Sequence, residues 1–194
     1  MKYNVITISR EFGAGGGELA KKLSDKLKIE YYDKAIILQA AKSSNIDMSS
    51  VMKWDEKVSA NFGFTQSLFD FYNRPLDEKL FNVQKDIIRK YAEKEKCIIL
   101  GRNANWILKE YDKVLHIFVH APKEFRFNRM RSQIEGTDDH VMAYISHIDK
   151  QRAKYCKHYT NTVYGQASNY DLTFNTSEID IDTCVDIIYN LVKD

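Results

Sequence analysis

The sequence predicts a three-layer α/β domain built on a parallel sheet. Three observations carry this. An apolar run, Val5-Ile6-Thr7-Ile8, leads into Gly13-Ala14-Gly15-Gly16-Gly17, and a helix-like stretch follows from Leu19 to Leu27. Two further continuous apolar runs, Cys97–Leu100 and 114–119, are short enough for strands buried on both faces. Strand-like and helix-like segments alternate along the chain, as in domains where helices cover both faces of a mostly parallel sheet.

In chain order, residues 4–8 predict a buried first strand. Residues 17–28 predict a helix with Leu19, Leu23 and Leu27 on one face. A short strand over 29–32 leads to Asp33, and 34–43 predicts a helix. The aromatic and polar stretch 48–71 predicts one or two helices with a loop near Gly63. Residues 76–95 predict a stronger helix, with Leu80, Val83, Ile87 and Tyr91 in register. The strand Cys97–Leu100 ends in Gly101-Arg102, and the strand over 114–119 ends at His120-Ala121-Pro122. Residues 123–133 form a basic helix, and 138–159 a long helix beyond the break at Glu135-Gly136-Thr137. A last strand over 170–174 ends in Asn175-Thr176-Ser177. A closing helix over 180–192 puts Ile181, Val185, Ile188 and Val192 on one face.

Composition narrows the function. A chain of 194 residues with 44% hydrophobic residues makes one domain, or a domain with insertions, with a sizeable core. A net charge of +2 argues against a general nucleic-acid binder. No long apolar span and no charged-then-apolar N-terminus occurs, so neither a membrane helix nor a signal peptide is expected. Cys97, Cys156 and Cys184 are widely spaced and contain no Cys-x-x-Cys, which fits reduced thiols in the cytoplasm. His116, His120, His140, His147 and His158 show no metal spacing, and His116 is expected to face a neighbouring helix.

Ligands of open α/β sheets bind beyond the carboxyl ends of the strands. The polar residues there are Ser9-Arg10-Glu11, Asp33, Gly101-Arg102-Asn103 and Asn175-Thr176-Ser177. The glycine loop is either a flexible turn or an anion site. Four glycines in five residues exceed what a turn needs, since each weakens the folded state through chain entropy. Anion binding at a helix start is the better account. A P-loop normally ends Gly-Lys-Ser/Thr, and Gly16-Gly17 stands where Lys-Ser would stand. Arg10 can supply a cation and a bidentate fork to phosphate oxygens, or can pair with Glu11 or Asp33. Arg102 is either a solvated residue at a helix start or, since an arginine there opposes the helix dipole, an answer to a ligand anion. Arg126 and Arg129 share a helix face, and Asp149 and Arg152 are likewise three apart. These are either solvated surface residues or a cover whose arginines close over phosphates.

The motifs together resemble the cytidylate kinase-like proteins of bacteria. Ile6-Thr7-Ile8-Ser9-Arg10-Glu11-Phe12-Gly13 and Tyr31-Tyr32-Asp33-Lys34 carry the resemblance, with Gly101-Arg102 and Phe118-Val119-His120-Ala121-Pro122. Asp149-Lys150-Gln151-Arg152-Ala153, Tyr159-Thr160, Asn169-Tyr170-Asp171-Leu172 and Asn175-Thr176-Ser177 extend it over essentially the whole chain. The resemblance implies a single P-loop nucleoside-monophosphate-kinase domain over 1–194, with a five-stranded parallel sheet. It implies a helical acceptor-binding insertion across about 34–96 and a lid across about 123–165. True cytidylate kinases hold the acceptor with an Arg-Asp pair, which here reads Arg102-Asn103. Asp149 and Arg152 match a lid Asp-x-x-Arg, and Arg89 falls near an acceptor-phosphate arginine. Gly16 and Gly17 replace the loop lysine and the magnesium-ligating serine.

The expected reaction is ATP- and Mg²⁺-dependent phosphoryl transfer to a nucleoside monophosphate, CMP or dCMP first. Gly13, Ala14, Gly15, Gly16 and Gly17 would cradle donor phosphates. Arg10, Arg126, Arg129 and Arg152 would neutralise charge. Asp33, Arg102, Asn103 and Asp149 would bind the acceptor. No residue is assigned as a protein ligand to a metal. The expected partners are nucleotides, not nucleic acid or membrane, and a homo-oligomer is compatible with the sequence. The rivals are a non-catalytic nucleotide sensor with a degenerate loop and a kinase acting on a non-nucleotide acceptor.

Overall fold

The structure, a computed structural model, describes residues 2–33 and 78–193. The helix expected over 34–43 and the helical stretch over 48–71 lie outside the described residues, as does most of the insertion.

Five parallel strands form one sheet in the order β2-β3-β1-β4-β5. They are β1 (Val5–Arg10), β2 (Glu30–Tyr32), β3 (Cys97–Leu100), β4 (Val114–His120) and β5 (Leu172–Asn175). The strand before the glycine loop is therefore central, flanked by the two most apolar runs. Val5 pairs with Cys97 on one side and Val114 on the other.

Alternate residues of these strands serve two helical layers. Ile6, Ile8, Leu115 and Ile117 pack with Leu19 and Leu23 of α1 (Gly16–Leu27) and with Ile181, Val185, Ile188 and Val192 of the closing helix. Val5, Cys97 and Ile99 face Phe81 and Ile88 of α2 (Glu78–Lys94) and Ile107 of α3 (Ala104–Ile107). Each fully buried isoleucine contributes roughly 1.5–3 kcal/mol relative to exposure. The remaining helices are α4 (Lys123–Met130), α5 (Asp138–Thr160) and α6 (Ile181–Lys193).

Two readings shift. The buried stripe of α2 is Phe81, Gln84, Ile87 and Ile88, one position round from the expected Leu80 and Val83. Gln84 is admitted to it because its Oε1 accepts from the Tyr155 hydroxyl at 3.1 Å. The basic helix stops at Met130, where a turn of residues 131–134 leads to Gly136.

Residues 123–165 pack against the glycine loop. Val141, Tyr144, Ile145 and Ile148 of α5 close with Met130 and Ile134 around Phe12 of the glycine loop. Thr137 caps α5, its Oγ1 accepting from His140 N at 3.3 Å.

Candidate active site

Arg10 ends β1, and α1 begins six residues later. The loop between them is held by its own polar groups. Glu11 N donates to the Val119 carbonyl at 2.9 Å, and Phe12 N to Asp149 Oδ1 at 2.8 Å. The Ala14 carbonyl accepts from Thr176 Oγ1 at 2.9 Å. Gly13 and Gly15 lie at φ 81 and 85 degrees, a conformation that side chains disfavour. Gly15 caps α1, whose first bond runs from Leu19 N to the Gly15 carbonyl. The N–H groups of Gly16, Gly17 and Glu18 therefore have no acceptor within the helix. They point out of a helix start, where the peptide dipoles favour an anion.

A cleft of about 260 Å³ opens on these groups, lined by Arg10, Gly13, Gly15, Gly16, Gly17, Arg129 and Arg152 among others. The stem of Arg10 runs against Gly16, and its Nη1 occupies the space a Cβ on Gly101, just after β3, would take. Arg129 Nη2 donates to Glu18 Oε2 at 2.9 Å, which holds the Glu18 carboxyl below its ordinary range. Arg152 is buried, stands over the Phe12 ring, and donates from Nη1 to the Arg10 carbonyl at 2.7 Å.

Arg126 and Asp149 both reach the backbone of the loop. Arg126 is buried, donating from Nε to the Ala121 carbonyl and from Nη1 to the Phe12 carbonyl, both at 2.9 Å. The same Nη1 meets Asp149 Oδ2 at 2.5 Å, and Glu11 Oε2 lies 3.4 Å from Nε. Both residues brace the loop from behind and do not line the cleft. Sequence spacing showed which face Arg126 shares with Arg129 but not that backbone carbonyls wait on it.

The end of β3 is unusual. Gly101, Arg102 and Asn103 are all left-handed, at φ 77, 59 and 54 degrees. Arg102 and Asn103 are buried, which removes the reading of a solvated helix start. Asn103 Nδ2 is buried with no hydrogen-bond partner among the described residues. Asp33 directly follows β2, the neighbour of β3.

Sequence reasoning missed Tyr164. Its hydroxyl donates to the Arg10 carbonyl at 2.7 Å and lies 3.3 Å from Arg10 N. A tyrosine beside Gly165 after a long helix was the available signal, since Gly165 presses on the Phe118 ring. A larger hollow of about 520 Å³ lies behind the loop, lined by Phe118, His120, Lys150 and Tyr164. It does not open on the helix-start N–H groups, so the smaller cleft is the candidate site. His116 does face a helix, sharing a surface hollow with Asn105 and Trp106 of α3, and its Nδ1 lies 2.8 Å from Thr7 Oγ1.

Among the described residues no cluster of His, Cys, Asp or Glu could hold a metal ion. Gly17 brings no hydroxyl to the loop. The cleft carries the carboxylates of Glu11 and Glu18 beside Arg10, Arg129 and Arg152.

A five-stranded parallel sheet with a glycine loop after its central strand defines the P-loop kinase class of fold. The shikimate kinase of Bacteroides thetaiotaomicron shares it, with a TM-score of 0.58 and 15% identity over 98% of each chain. A solved protein from Eubacterium ventriosum is similar at a TM-score of 0.76 and 25% identity, again over 98% of each chain. The chain itself belongs to the cytidylate kinase-like family, which it matches over residues 5–178. The cytidylate kinase of Sulfolobus acidocaldarius is 26% identical over 191 residues, 97% of this chain and 93% of that protein. Family and fold support nucleotide kinase activity. No helix among the described residues is long and apolar enough to cross a membrane.

Proposed function

We propose that this chain transfers a phosphoryl group from ATP to a nucleoside monophosphate, with CMP or dCMP as acceptor. The carrying observation is the cleft in which a helix start and its glycine loop face Arg10, Arg129 and Arg152. Residues Gly13, Ala14, Gly15, Gly16 and Gly17 cradle the donor phosphates. Arg10 and Arg129 neutralise charge on them, and Arg152 fixes the Arg10 backbone. Arg126 and Asp149 position the loop. Arg102, at the end of β3, holds the acceptor phosphate, with Asn103 and Asp33 orienting the rest of the acceptor. The attacking oxygen belongs to a phosphate, so no strong general base is needed. Phosphoryl transfer depends mainly on such positioning and charge neutralisation. Mg²⁺ arrives bound to the nucleotide, and no step is assigned to it. Three free, buried thiols fit a reducing compartment such as the cytoplasm.

Two observations favour rivals. Gly16 and Gly17 remove the loop's lysine and hydroxyl, as in a nucleotide sensor. Asn103 removes the expected carboxylate, as in a kinase for another acceptor. Chromatography of products from ATP with CMP, dCMP, UMP, AMP or shikimate separates the three. Fastest phosphorylation of CMP or dCMP is expected. ATP binding without transfer to any acceptor would establish the sensor.

A further inference from the structure

The glycine loop departs from the P-loop pattern at three positions, and the structure links two of them. The pattern Gly-x-x-x-x-Gly-Lys-Ser/Thr has its second glycine just before the helix. Gly15 caps α1 and takes that place. Counting back five positions, the first glycine of the pattern is Arg10. Counting forward one, the lysine is Gly16. The cation and the glycine have changed places.

Their side-chain spaces overlap. A Cβ built on Gly16 would stand 2.7 Å from Arg10 Cβ and 2.8 Å from Arg10 Cγ. Both figures are below what packed carbon atoms tolerate. Gly16 has an ordinary backbone conformation, so only this contact requires glycine there. A side chain at either end of the loop demands glycine at the other. The usual loop places its cation at the helix start, whereas this one places it at the strand end.

The guanidinium has a built destination. Arg10 Nη1 lies 2.2 Å from where a Cβ on Gly101 would be, and Gly101, at φ 77 degrees, is a glycine position by its backbone as well. The backbone that aims it is clamped by Arg152 Nη1 at 2.7 Å and by the Tyr164 hydroxyl at 2.7 Å, both on the Arg10 carbonyl. Arg10 lines the cleft alongside the helix-start N–H groups.

We propose that Arg10 is the phosphate-binding cation of this loop, transposed from the lysine position, and that Gly16 is glycine to let its stem pass. The inference rests on the reading of the cleft as a nucleotide site. It adds that the missing lysine is an exchange and not a loss. The guanidinium bridges the donor loop and the end of β3, where Arg102 begins the acceptor turn.

A double-mutant cycle tests it. ATP and adenosine binding are measured by calorimetry for the natural chain, Arg10→Gly, Gly16→Lys and Arg10→Gly/Gly16→Lys. Arg10→Gly should weaken ATP by about ten- to a hundredfold, the range of a charge-assisted bond, and leave adenosine unchanged. Gly16→Lys should weaken ATP too, because the new stem collides with Arg10. The double variant should bind ATP at least about tenfold more tightly than Arg10→Gly alone, about 1.4 kcal/mol, and the coupling exceeds that figure by whatever Gly16→Lys costs on its own. A double variant no tighter than Arg10→Gly would overturn the exchange, as would natural ATP affinity in Arg10→Gly. Should Gly16→Lys not fold, Arg10→Lys decides in its place. Partial ATP affinity is expected there, since lysine lacks the planar fork, and affinity no better than Arg10→Gly would overturn the cation role. Transfer to CMP, measured separately, judges the kinase reading. A chain that binds ATP through Arg10 yet transfers to no acceptor would remove that reading and leave the exchange standing.

Discussion

The glycine loop after β1 and the turn after β3 make an instructive pair. Each leaves a central buried strand, and each uses left-handed backbone at the same edge of the sheet. In the loop, glycine occupies both left-handed positions, Gly13 and Gly15. In the turn, glycine occupies only the first, and Arg102 and Asn103 follow in the same conformation. Left-handed backbone at a residue other than glycine costs of order 1–3 kcal/mol and persists only where the surroundings hold it. The difference shows what each region presents. The loop presents backbone N–H groups, so side chains are cut away. The turn presents side chains, and the fold tolerates strain to keep them. Under the proposed function, donor phosphates and acceptor would be held by different chemistry at neighbouring strand ends.

The comparison breaks most visibly at Gly15. Gly15→Val places a branched side chain at φ 85 degrees, with Cβ 2.7 Å from Ile181 Cδ1. ATP binding, followed by calorimetry, should be abolished, and denaturant unfolding should show a loss of about 1–3 kcal/mol from strain. Normal ATP affinity in that variant would end the account of the loop as a backbone cradle. Next in size is Arg102→Gly. CMP should bind about ten- to a hundredfold more weakly, the worth of a charge-assisted bond, with ATP affinity unchanged. Stability should change little, because relief of left-handed strain offsets the lost packing of a buried side chain. Equal weakening of ATP and CMP would show that the turn serves the fold and not the acceptor. The smallest effect is expected for Gly17→Ala. A Cβ there meets nothing within 4 Å. ATP affinity should hold, and the melting temperature should rise, with a gain of up to about 1 kcal/mol from helix propensity. Loss of ATP binding would mean that phosphate approaches Gly17 closely enough to exclude a methyl group.

The two regions were not equally legible in the sequence. The loop announced itself through the density of glycines between an apolar run and a helical stripe, because both flanks are periodic or continuous. The closing helix was read correctly for the same reason, with Ile181, Val185, Ile188 and Val192 all buried. The turn after β3 was harder. Its helix α3 is four residues long, too short for any period, and left-handed backbone at Arg102 and Asn103 leaves no mark in composition. Charged partners were least legible. Arg126 and Asp149 meet each other and the loop through contacts far along the chain, so their spacing suggested a cover over phosphates where the fold has a brace. The stripe of α2 slipped by one position because Gln84 is polar in sequence and buried in fact.

The central place of β1 also sets when the loop can form. Its two neighbours, β3 and β4, both come later in the chain, so the strand is made before either and waits for both. The contacts that shape the loop are longer still, with 137 residues between Phe12 and Asp149 and 162 between Ala14 and Thr176. Such non-local closures come late and slow folding, because chain entropy must be lost before the contact rewards it. The loop is therefore expected to be among the last parts to take shape. It matures together with the domain, and a phosphate-bearing ligand that grips it would stabilise the whole fold in proportion to its affinity.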